Sequence, residues 1–179
     1  GFLPTFEIVS SVDPDTQAPQ IVGFSLNSAE ELDASQPGGA YLSASIGFKE
    51  DVTGFSSANI SFRNENNHNI GMWIGADRVS GSRMEGTVHG FKEINALHDK
   101  PGTYELYEIN INDQANNHIS LRSNGNDEQK AAFEALIDEL GFLPTFEIVS
   151  SVDPDTQAPQ IVGFSLNSAE ELDASQPGG

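Results

Sequence analysis

Residues 1–39, from GFLPTFEIVS to DASQPGG, recur without a single change as residues 141–179, a period of 140 residues. Identity over so long a run is beyond coincidence, and self-similarity at a fixed period is the signature of a tandem array. The duller alternative is an engineered duplication. A 140-residue period is an ordinary single-domain length, so the chain is expected to hold one complete unit and pieces of its two neighbours. The stretch SVDPDTQAP, at Ser11–Pro19 and again at Ser151–Pro159, marks the boundary, because prolines and turn-forming residues gather in connections. Residues 1–14 then read as the tail of a preceding unit with its linker. Residues 15–153 read as the complete unit, and residues 154–179 as a linker and the truncated start of the next.

Charge narrows the function classes. Residues 1–140 carry 21 Asp and Glu against 8 Lys and Arg, a formal −13 per period, and every basic residue lies between Lys49 and Lys130. Such a surface repels phosphate backbones and anionic lipid, so neither a nucleic-acid partner nor membrane insertion is expected. It attracts cations and keeps a long array soluble. Cysteine is absent, which removes disulfides and thiolate metal sites. No apolar run approaches the roughly 18 residues of a membrane span.

Period-2 alternation recurs along the chain. Ala40–Phe48 puts Leu42, Ala44, Ile46 and Phe48 on one face, and Ala58–Arg63 turns Ile60 and Phe62 inward. Pro19–Leu26, Ile70–Ile74, Arg83–Gly90 (Met84, Gly86 and Val88 on one face), His118–Arg122 and Pro144–Val152 also read as strands. In Thr103–Ile111, Leu106 and Ile109 are three apart, and a bulge between them restores the alternation. The polar stretch after Leu26 and the acidic KEDVTGFSS read as loops. One segment departs from the rule. Asn126–Leu140 spaces Ala132, Phe133, Leu136, Ile137 and Leu140 as a helical stripe, with Asn126 as N-cap, Gln129 for the reciprocal bond and Gly141 for the left-handed end. The pattern predicts an all-β fold, an immunoglobulin-like β-sandwich of about seven strands with one short helix before the last strand.

Several motifs carry a resemblance. Asp15-Thr16-Gln17-Ala18-Pro19 opens the unit, and an acidic loop with a glycine follows LSASIGF. Pro101-Gly102-Thr103-Tyr104-Glu105-Leu106 begins a strand that ends in Asp113-Gln114-Ala115-Asn116-Asn117. This resembles the bacterial immunoglobulin-like tandem repeats that form the extender regions of large calcium-dependent surface adhesins. Asn116 stands where that family usually has glycine, and asparagine tolerates positive φ better than most residues. The resemblance implies an extracellular, cell-surface protein of a Gram-negative bacterium. Its repeat would contact adjacent identical repeats, bind no direct ligand and perform no catalysis.

In such a sandwich the linker and two loops meet at one end. Asp13 and Asp15, Glu50 and Asp51, and Asp113 and Asn117 are the expected Ca2+ ligands there, since calcium takes six to eight hard oxygen donors and clustered carboxylates repel one another without a cation. Asp153 and Asp155 repeat the linker for the next unit, and Asp99 with Glu93 is placed at the opposite end. No EF-hand loop occurs. His68, His89, His98 and His118 lack zinc-ligand spacing and read as exposed. No nucleophile elbow or phosphate loop occurs. Two other function classes stay open: a carbohydrate-binding sandwich with Trp73, Tyr41, Tyr104 and Tyr107 as a stacking platform, and an accessory domain of a secreted enzyme.

Overall fold

The computed structural model describes residues 13–152, 157–163 and 165. Ten strands, one α-helix and one 3-10 turn make up the described fold, so the all-β expectation with a single helix holds, with ten strands where about seven were expected. The strands are β1 (Gln20–Leu26), β2 (Glu31–Asp33), β3 (Ala40–Lys49), β4 (Phe55–Asn64), β5 (Asn69–Gly75), β6 (Val79–Gly81), β7 (Glu85–Ile94), β8 (Gly102–Asp113), β9 (His118–Arg122) and β10 (Thr145–Val149). Helix α1 spans Asp127–Leu140, between β9 and β10. One sheet has the order β1-β3-β7-β6. The other runs β2-β10-β8-β4-β5, with β9 also on β8.

Strand β8 organises the second sheet. It pairs with β4 along one side, while β10 meets Gly102–Glu105 and β9 meets Glu108–Asn112. Ser61 faces Glu108 and Phe62 faces Leu106, so Tyr107 is the extra residue of the bulge anticipated between Leu106 and Ile109. The helix leaves the sheet after β9 and the chain returns as β10. Asn126 and Gln129 form the reciprocal cap, and Gly141 takes φ 75°. Phe133 and Leu136 are buried, and Ala132, Ile137 and Leu140 pack partly against the same core. Asn126→Ala should lower stability by about 1 kcal/mol and Asn126→Gly by only a few tenths, measured by denaturant melts of the whole chain.

The core is the alternating set read from sequence. Leu42, Ala44, Ile46, Phe48, Ile60 and Phe62 are fully buried. Phe48 stacks on Phe55 with centroids 4.7 Å apart, and Phe146 lies between Phe62 and Tyr104 at 5.1 and 5.4 Å. The Tyr104 hydroxyl donates to the Lys100 carbonyl at 2.9 Å, and burial, with the Asp99 charge second, pushes its pKa up to about 12. Some boundaries differ from the pattern. Met84 precedes β7 and is exposed, so β7 starts at Glu85 and continues to Ile94. β10 ends at Val149, leaving Val152 in solvent. The three-residue β2 lies in the polar stretch read as a loop, and β6 in a stretch given no reading, because three residues are too few to display a period.

The strand registers fix where the chain enters and leaves. Gln20 pairs with Lys49, Lys49 with Glu85, and Phe55 with Asp113, which defines a leading end. Ala40 pairs with Ile94, Asn64 with Tyr104, Ile148 with Gly102 and Val149 with Asp33, which defines the trailing end. The chain arrives at Gln20 and departs after Val149, so entrance and exit lie at opposite ends. Ten-residue strands such as β3 separate them by about 33 Å.

Candidate metal centre

Three carboxylates meet at the leading end. One oxygen each from Asp15, Glu50 and Asp51 lies within 4.8 Å of the others. The β3–β4 connection brings two of them. Glu50 folds back over its own loop, and its Oε2 accepts from the Val52 and Gly54 amides at 2.9 and 2.7 Å. Gly54 sits at φ +88°, and a Cβ there would lie 3.0 Å from the Cβ of Arg83, so the tight return requires glycine. Thr53 holds the linker against this loop, its amide and hydroxyl donating to Asp15 Oδ2 at 3.2 and 2.6 Å. The Gln17 amide donates to Asp15 Oδ1 at 3.1 Å.

The electrostatics of the three acids diverge. The Thr53 hydroxyl holds the Asp15 carboxyl below the usual carboxylate range against a partial loss of surrounding water, and the Gln17 and Thr53 amides add to its effect. Asp51 moves the other way: loss of surrounding water comes first, then the charges of Glu50 and Asp15. Glu50 Oε1 is out of reach of solvent and has no hydrogen-bond partner. An oxygen in that condition is under-satisfied, and a hard cation would complete it. The all-oxygen donor set fits Ca2+ in kind. Bound there, the ion would supply positive charge to offset carboxylate repulsion, with Asp15, Glu50 and Asp51 as its protein donors.

The other expected ligands are arranged differently. Asp113 is buried, and both its oxygens are taken by Asn117, Oδ1 from the amide and Oδ2 from the side chain, each at 2.8 Å. Asn117 Nδ2 also donates to the Asp15 carbonyl at 3.2 Å. This pair therefore braces the linker beside the cluster. Asn116 adopts φ 69°, as its place in the turn requires. Asp13 is exposed and outside the cluster. Asp99 lies at the trailing end, buried, bridged to Lys92 Nζ at 3.2 Å and accepting from the Asn95 amide at 2.9 Å, so its carboxylate caps a turn. Glu93, near it in sequence, is exposed. Asp153 and Asp155 lie outside the described residues.

Thr53 is the member that sequence reading missed. Its bond spans 38 residues to Asp15, and nothing in a single sequence marks such a pair. The four aromatic residues considered as a platform do not form one. Tyr104 and Tyr107 are buried, Tyr41 is on the outer face of the first sheet, and Trp73 is on the outer face of the second. Tyr107 is capped by Arg63, whose Cζ sits 3.5 Å from the ring centroid. His89, His98 and His118 are exposed and His68 is half-buried. Among the described residues no helix is long and apolar enough to cross a membrane. Comparison of the chain with protein-family models, with curated proteins and with solved structures returns no match.

Proposed function

We propose that this chain is a structural extender: an immunoglobulin-like repeat of a bacterial surface adhesin that joins identical neighbours end to end and carries distal domains away from a cell. The observation that carries this reading is the placement of entrance and exit at opposite ends of the strands. With an exact 140-residue period, that geometry favours a linear array over a folded-back cluster. The sheet orders favour the immunoglobulin-like form. β1-β3-β7-β6 has four strands, as one sheet of that fold does, and β4-β8 with β9 and β10 beside β8 are comparable to its other sheet, extended at the edges by β5 and β2. Calcium held by Asp15, Glu50 and Asp51 would tie the incoming linker to the β3–β4 loop and stiffen each junction. The calcium part rests on the unsatisfied Glu50 Oε1 beside Asp15 and Asp51.

Small-angle scattering on arrays of two, three and four periods tests the reading. In calcium the maximum dimension should rise linearly, by about 35–45 Å per period, the strand length plus its linker. Chelator should shorten the array without unfolding the units. A maximum dimension that stays nearly constant as periods are added would reject the extender role.

A further inference from the structure

The outer face of the second sheet is unlike the rest of this acidic molecule. Register places Trp73 on β5 opposite Asn59 on β4, Asn59 opposite Asn110 on β8, and Asn110 opposite Ser120 on β9. One straight row of four side chains thus crosses four strands, about 14 Å at the usual strand spacing. No member of that row is charged. In the adjoining row, Glu108 faces Arg122 in register, so the two charges offset each other.

Trp73 is 74% exposed although it sits in the middle of a strand. Its two same-face neighbours along β5 are Gly71 and Gly75, so no side chain flanks the indole on its own strand. A Cβ at Gly75 would lie 2.6 Å from Asp77 Oδ1 and 3.0 Å from the indole ring, so the Asp77 carboxylate lies near one edge of the ring. The ring therefore leans over a residue that has no side chain, which leaves its outer surface free. Asn59 donates to the Ser61 hydroxyl at 3.0 Å, which steadies its amide. The side chains of Asn110 and Ser120 are half-buried and have no partner among the described residues.

We propose that this row binds an uncharged, extended β-linked glycan. Trp73 stacks on the apolar face of one sugar ring, and Asn59, Asn110 and Ser120 bond to hydroxyls of the rings that follow. An exposed aromatic face beside amides and a hydroxyl in one plane matches the alternating C–H and O–H surface of such a chain. Neutrality of the ligand follows from the row itself, since a polyanion meets a chain of net charge −19. This goes beyond the extender reading, which expects no ligand for the unit.

The chain has one tryptophan, so indole fluorescence reports this face alone. The whole 179-residue chain is titrated with cellohexaose, mannohexaose and chitohexaose, with polygalacturonate as the anionic comparison. At least one neutral hexasaccharide should shift the emission saturably. The double variant Asn110→Ala, Ser120→Ala should weaken that binding about tenfold, the loss of two neutral hydrogen bonds, with an unchanged melting temperature. Calorimetry on Trp73→Ala should detect no binding. The proposal is overturned by no saturable shift with any of the three, by a shift unaffected in the double variant, or by binding of polygalacturonate alone. Sedimentation giving a dimer that Trp73→Ala dissolves would also overturn it, because a second copy would then cover the face.

Discussion

Phe146→Ala should lower the melting temperature by about 10–20 °C, while Phe6→Ala, the same change in the first copy of the repeated segment, should leave it unmoved. Phe146 is 2% exposed and packs edge-on to Phe62 and face-on to Tyr104. Removing a buried phenyl group costs about 3–5 kcal/mol through lost transfer energy and the cavity left behind. For a domain of this size each kcal/mol corresponds to roughly 3–4 °C. The loss falls on β10, which is held by only four register pairs to β8 and three to β2, so little else retains it. Phe6 makes the experiment specific, because residues 1–39 and 141–179 are identical and only one copy can occupy the place beside β8. If Phe6→Ala lowered it and Phe146→Ala did not, the first copy would be the one that fills it. Scanning calorimetry of the two variants and the parent chain decides between them.

How legible the fold was depended on the length of each element. In β3 and β4 period-2 alternation ran over Ala40–Phe48 and Ala58–Arg63, and Leu42, Ile46, Ile60 and Phe62 were each assigned to the correct face, whereas Phe55–Ser57, read as loop, begin β4 because a register shift there breaks the alternation. The helix announced itself through two independent signals, the stripe and the Asn126–Gln129 cap. The bulge at Tyr107 was legible because a bulge breaks parity, and parity is countable. β2 and β6 are held by pairing with distant strands, which leaves no periodic trace in three residues. The candidate site follows the same logic. Asp15, Glu50 and Asp51 could be grouped because acids in an entrance segment and a β3–β4 loop must meet at one end. Asp113 was placed near them correctly, but its partners were not. Asp-x-x-Asn-Asn reads equally as a ligand loop or a self-capped turn, and burial of the aspartate favours the second. Asp99 was placed at the trailing end, but its partner Lys92, seven residues away across a turn, was not anticipated.

Calcium should raise the melting temperature of this chain by about 4–11 °C at 10 mM over the value in chelator, and Glu50→Gln should abolish the difference. Extracellular-type sites bind at roughly 0.1–1 mM, so 10 mM ligand adds about 1.4–2.7 kcal/mol by mass action, and the conversion to temperature is the one used above. Glu50→Gln keeps an oxygen for the Val52 and Gly54 amides but puts an amide group where Oε1 now points. Asp51→Asn adds a test of sign. The folded chain holds the Asp51 proton more tightly than the unfolded one. Its contribution therefore falls as pH rises from the ordinary carboxylate value through the raised one, and at neutral pH the ionised group opposes the metal-free fold. Asp15 is lowered, so its contribution is present above the ordinary value and is lost as pH falls through the folded one. Asp51→Asn should thus raise the melting temperature in chelator and reduce the gain from calcium, whereas an ordinary surface substitution would shift both by the same amount. Equal melting temperatures of the parent chain in calcium and in chelator would remove the cation from this junction. The stiffness of an array would then rest on the Asp15–Thr53 and Asn117–Asp15 bonds alone.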